Sequence, residues 1–121
     1  MSSASAPLDA AVVARVRASF ARQGAMATLG AELDDVAAGR VAIALPIESR
    51  LSQQDGFLHA GIVVAALDSA CGYAALTLMP HDAEVLTVEL KVNLLAPASG
   101  PSRRAPTRSR PGRGSSLLRC P

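Results

Sequence analysis

Leu8, Val12, Val13, Val16 and Phe20 recur at helical spacing, with Arg15 and Arg22 lying off that stripe. The spacing predicts an amphipathic helix over residues 8–23, stopped at Gly24. Two strands are expected next, over 28–36 and 40–48, joined by a turn at Ala37-Ala38-Gly39. In the second, Val41, Ile43, Leu45 and Ile47 alternate with Ala42, Ala44 and Pro46, the period of a strand with one face inward. Pro46 has no N–H to give to a ladder, so it marks the strand's end or an edge. Residues 49–58 read as a polar loop containing Gly56. Over 84–95, Leu86, Val88, Leu90, Val92 and Leu94 alternate with Thr87, Glu89, Lys91 and Asn93. This is the clearest strand pattern in the chain.

Between these strands runs Ala60–Met79, twenty residues carrying one charge, Asp68. The length matches a membrane span of ~20 residues. A central aspartate, two glycines and the lack of flanking Lys or Arg argue against that. The alternative is a buried helix covered by a sheet, apolar on all sides. An ionised carboxylate in such surroundings costs several kcal/mol without a partner, and burial raises its pKa. Asp68 is therefore either structurally paired or functional.

His59 stands where this helix begins. The first N–H groups of a helix have no internal partner, and the macrodipole makes that end partly positive. Such an end can hold a carbonyl oxygen as it gains negative charge. His59 and Asp68 are separated by roughly 13 Å of helix and lie on opposite faces. One copy of the chain cannot bring both to one carbonyl, but two antiparallel copies could. The expected catalytic unit is a dimer.

Charge divides the chain. The overall +2 splits into −4 over residues 1–100 and +6 over residues 101–121, which hold six arginines and no acid. That last segment also contains four prolines and four serines, and no helix or strand period survives in it. It reads as a disordered basic tail or as out-of-frame translation of a GC-rich coding sequence. A nucleic-acid partner would rest on this tail alone, and none is expected. With no Trp and few aromatics, the core must come from Ala, Val, Leu and Ile. Cys71 and Cys120 make no disulfide framework, and Cys71 is expected as a small core residue. With no basic, apolar leader at the N-terminus, the expected location is cytoplasmic.

Two runs carry a resemblance. Gly56-Phe57-Leu58-His59-Ala60-Gly61, with Leu67-Asp68-Ser69-Ala70-Cys71-Gly72-Tyr73-Ala74-Ala75, resembles the motif of PaaI-like hotdog thioesterases. Leu86-Thr87-Val88-Glu89-Leu90-Lys91-Val92-Asn93-Leu94-Leu95-Ala96-Pro97-Ala98 resembles the strand and proline turn that follow it. The resemblance implies an α+β hotdog fold, with an antiparallel sheet wrapped around a long central helix. It places this domain over residues 1–100 and leaves the sheet without its last strands, because residues 101–121 offer no pattern for them.

The resemblance further implies hydrolysis of acyl-CoA thioesters, with no cofactor and no metal, by a homodimer or dimer of dimers. Asp68 would be the catalytic carboxylate and Thr87 a hydroxyl assisting it. His59 would orient the thioester, and the Ala60 N–H would polarise its carbonyl. Gln53 and Gly61 would contribute to substrate binding. Two positions depart from the family pattern. Ala60 stands where a glycine is usual, and Gln53 stands where an asparagine is common. The rival readings are an acyl-thioester binding or hydratase/dehydratase module of the same fold, and a non-catalytic interaction protein.

Overall fold

The computed structural model describes residues 7–88, 90–92 and 94, and the backbone of 104–108 and 118–119. Asp9 starts the first helix, α1 (Ala10–Ala21), its Oδ1 accepting from the Ala11 N–H at 2.9 Å. A carboxylate at this position satisfies an amide that the helix itself cannot. Val16, in the middle of the stripe, is fully buried. α1 ends at Ala21, just short of the expected stop, and Gly24 then opens a second helix, α2 (Gly24–Leu29), which the pattern did not predict. α2 stops at Gly30, with φ of 69°, where the N–H groups of Gly30 and Ala31 turn back onto Ala27 O and Met26 O. A residue without Cβ takes this left-handed conformation at no steric cost. The first strand therefore begins at residue 32 and not at 28.

That strand, β1 (Glu32–Ala37), pairs antiparallel with β2 (Arg40–Pro46), with a register shift between Leu33 and Asp35. Pro46 closes β2, as its missing donor predicts. At the hairpin tip the Gly39 N–H donates to Thr77 Oγ1 at 2.8 Å. Val41, Ile43 and Leu45 are wholly buried, and Ala42 and Ala44 almost so. β2 is thus covered on both faces.

The apolar stretch forms α3 (Ala60–Leu76), which lies against β2. Ala66, Ala70, Tyr73 and Ala74 share its buried face at intervals of three and four and join Val41, Ile43 and Leu45 in the core. Small side chains on that face let helix and sheet approach closely. The helix ends before Met79, because Thr77 Oγ1 donates back to Ala74 O at 2.6 Å, and Leu78 and Met79 lie exposed. Among the described residues, no helix is long and apolar enough to cross a membrane. Cys71 is buried in α3, as expected of a small core residue, but it is disulfide-bonded, where no disulfide was expected.

Two expectations for the later chain are corrected. Of the strand expected over 84–95, the described residues form only β3 (Lys91–Val92), and Leu86 and Val88 stand 89% and 95% exposed. Alternation makes a segment fit to be a strand, but a ladder also needs a neighbouring backbone to bond. Residues 84–88 have none among the described residues. In contrast, β4 (Arg104–Arg108) pairs antiparallel with β2 despite lacking any strand period. Backbone pairing asks only for an open edge, which β2 offers on the side away from β1. Pro106 brings no N–H to that ladder. The sheet order is β1-β2-β4, and β3 pairs separately with β5 (Leu118–Arg119). The proline turn at Pro97 and the rest of the expected tail lie outside the described residues.

Candidate active site

Asp68 is half-buried on α3 and borders a cavity of about 400 Å³ between α1, α3 and the segment around 83–87. Thr87 Oγ1 donates to Asp68 Oδ1 at 2.5 Å. The acid is therefore neither solitary nor deeply buried, as the apolar run around it suggested. Its Oδ1 is held by a hydroxyl, and a carboxylate keeps further lone pairs that can take a proton from water.

The segment carrying Thr87 has no ladder, so side chains fix it. The Arg15 guanidinium donates to Pro80 O at 3.4 Å and, more closely, to Ala83 O. This ties the loop after α3 to α1. One turn beyond Asp68, Gly72 lies beside the same segment, where a methyl would make ordinary van der Waals contact with Val85 Cγ1 at 3.7 Å. The opposite wall is polar. Gln23 Nε2 donates to Tyr73 Oη at 2.7 Å, Ser69 Oγ donates to Gln23 Oε1 at 3.2 Å, and Ser19 Oγ lies 3.1 Å from Tyr73 Oη.

His59, Ala60, Gly61 and Gln53 gather at the other end of α3. A short loop delivers them: Ser52 bridges to Leu58, the His59 N–H donates to Leu51 O at 2.9 Å, and Leu51 and Leu58 are buried. Gly56, with φ of 87°, makes the bend between them. His59 caps the helix, its Nδ1 accepting from the Gly61 N–H at 2.9 Å. An imidazole that accepts at Nδ1 carries its proton on Nε2, so His59 presents a donor outward from an exposed position. A methyl on Gly61 would lie 3.1 Å from both Nδ1 and Cε1 of that ring. The glycine makes space for the cap.

The Ala60 N–H, first in the helix, makes no bond among the described residues, as an oxyanion donor requires. Gln53 Oε1 accepts from the N–H groups of Asp55 and Phe57 at 2.6 and 3.2 Å. Only its NH₂ remains for a substrate. The structure thus brings Asp68 and Thr87 together, and leaves His59, Ala60 and Gly61 at the N-terminus of α3, two to two and a half turns or roughly 10–13 Å from Asp68, with Gln53 in the loop before it. Among the described residues there is no cluster suited to a metal ion.

The profile of the Thioesterase superfamily matches residues 55–103, the span holding His59, Asp68 and Thr87. A thioesterase family protein from Silicibacter pomeroyi is 55% identical, with a TM-score of 0.76, over 84% of this chain and 76% of its own. The chain belongs to the thioesterase superfamily. The PaaI protein of the E. coli phenylacetic acid degradation operon shares its fold, with a TM-score of 0.66 at 14% identity, over 75% of this chain and 64% of its own. A protein of Saccharolobus solfataricus, named as a candidate esterase, is 40% identical over 49% of this chain and 41% of its own. The chain spans about half or less of the curated relatives it matches.

Membership in this superfamily agrees with the PaaI-like hotdog resemblance of the two sequence runs. Arg15, Ser19, Gln23 and Tyr73 form much of the cavity wall, and the sequence reading missed them. Tyr73 sits inside a run of core residues, and Ser19 and Gln23 look like ordinary polar positions of a surface helix. Arg15, off the apolar stripe, carried the only visible signal.

Proposed function

We propose that this thioesterase superfamily chain hydrolyses acyl-CoA thioesters to the free acid and CoA, with Asp68 as the general base. The carrying observation is the Thr87–Asp68 hydrogen bond at the edge of an open cavity. With Oδ1 held by Thr87, the carboxylate is fixed in orientation and its other oxygen takes a proton from water. The water oxygen then bonds to the thioester carbonyl carbon. As the tetrahedral intermediate collapses, the C–S bond breaks and the proton passes to the departing sulfur. Proton transfer of this kind contributes typically ~10²–10⁴-fold.

The carbonyl oxygen needs a donor, and none of the helix-start amides of the same copy can reach it. The reading therefore takes the site as shared between two copies, in a homodimer or dimer of dimers. Two α3 helices side by side and antiparallel would set Asp68 of one copy near His59 and the Ala60 N–H of the other. Gln53 and Gly61 would border the substrate at that end, Gly61 through the room it leaves for His59.

The deciding experiment incubates the protein with a panel of acyl-CoA thioesters and follows free thiol. Thiol release in step with free acid supports hydrolysis. An enoyl thioester with no thiol would replace it by the hydratase reading. For the shared site, inactive Asp68→Asn and inactive His59→Ala proteins are mixed and allowed to exchange subunits. Recovered turnover is expected, and its absence would overturn the two-copy arrangement.

A further inference from the structure

The polar wall facing Asp68 has more donors than it uses. Gln23 Nε2 donates to Tyr73 Oη, and Ser69 Oγ donates to Gln23 Oε1. Between Ser19 Oγ and Tyr73 Oη, 3.1 Å apart, one hydroxyl donates to the other. Each hydroxyl has one proton, so the pair keeps one that no group among the described residues takes up. Arg22, one turn along α1 from Ser19, lines the same cavity. Its guanidinium has no hydrogen-bond or ion-pair partner among the described residues. The contrast with Arg15 is plain, since Arg15 is engaged with two carbonyl oxygens. Glu84 also lines the cavity, yet it forms no ion pair with Arg22. At the C-terminus of α1 the arginine's charge is favoured by the macrodipole, but its donors stay unused.

A group that answers a guanidinium fork and a neighbouring hydroxyl is one that only accepts, through at least two oxygens. We propose that Arg22, with the spare Ser19–Tyr73 hydroxyl, forms an anion-holding corner for the thioester substrate. The anion is a carboxylate at the far end of the acyl group or a phosphate of the CoA carrier. Either presents the same oxygens to Arg22. This inference rests on the hydrolytic reading above, and names the charge of the substrate that reading accepts.

The test compares glutaryl and pentanoyl thioesters, each on CoA and on N-acetylcysteamine, which has no phosphate. The readout is kcat/KM from thiol release, for the natural protein and for Arg22→Gln. Loss of one charge-assisted contact is expected to lower one ratio by about ten-fold. A fall in the glutaryl-to-pentanoyl ratio assigns the anion to the acyl group. A fall in the CoA-to-cysteamine ratio assigns it to the carrier phosphate. Arg22→Lys, which keeps the charge without the fork, is expected to recover part of whichever ratio falls. Both ratios holding within about two-fold in Arg22→Gln overturn the anion corner and leave hydrolysis standing. Failure of the natural protein to release thiol from all these substrates overturns the hydrolytic reading itself.

Discussion

Thr87 and Asp68, nineteen residues apart in sequence, meet through a 2.5 Å hydrogen bond from the threonine hydroxyl to one carboxylate oxygen. Asp68 belongs to a rigid helix, whereas Thr87 lies on a segment without ladder bonds. The contact therefore depends on whatever holds that segment down, chiefly Arg15 on the carbonyls of Pro80 and Ala83.

Replacing Asp68 by Asn keeps the shape and removes the proposed base. Turnover is expected to fall by about 10³-fold, within the range for general-base catalysis. Because Asp68 is only half-buried, the thermal midpoint should shift by a few degrees at most. Steady-state kinetics beside a circular-dichroism melt checks both, and a collapse of the melt would favour a structural role for the acid.

Thr87→Val deletes the hydroxyl at near-constant volume. A single hydrogen bond to a charged group is worth ~1.5–3 kcal/mol, so kcat is expected to drop by about ten-fold or more. Thr87→Ser should recover most of it. Equal losses in both variants would show that packing, and not the hydroxyl, is what Thr87 contributes.

Gly61→Ala places a methyl 3.1 Å from the His59 ring, and the ring must yield by a few tenths of an ångström. The expected result is lower turnover with no loss of stability, because Ala is favoured over Gly in a helix by up to ~1 kcal/mol. A urea titration and a rate measurement on the same preparation separate the two effects.

Tyr73→Phe removes the hydroxyl that joins Ser19 and Gln23 of the α1 region to α3, while keeping the ring beside Phe20. The expected destabilisation is about 1 kcal/mol, the usual net value of such a bond. Urea unfolding reads it directly. An unchanged midpoint would mean that water replaces the hydroxyl without cost.

Local chemistry was legible where the chain itself supplies the partners. Ala60–Leu76 is helical because a long, almost wholly apolar run sits behind a capping His59, and both facts are written in adjacent residues. Val41, Ile43 and Leu45 declare an inward strand face by their spacing, and Pro46 declares its end. α2 itself has no such signal: its six residues are too few to show a helical period, and Gly30 ends it.

The remainder depended on neighbours distant in sequence. The alternation around Leu86 and Val88 specified a side-chain pattern without specifying a ladder partner, and those residues stand exposed. Arg104–Arg108 shows the reverse, a strand made by the free edge of β2 acting on a segment with no pattern of its own. Thus the sequence alone determined the central helix, the inward strand and the presence of a lone acid, Asp68, within that helix. Only the tertiary structure decided that this acid has a threonine partner, and that Arg15, Ser19, Gln23 and Tyr73 wall the space before it. Periodicity is a property of consecutive residues, whereas a cavity is made by surfaces that meet only once the chain has folded.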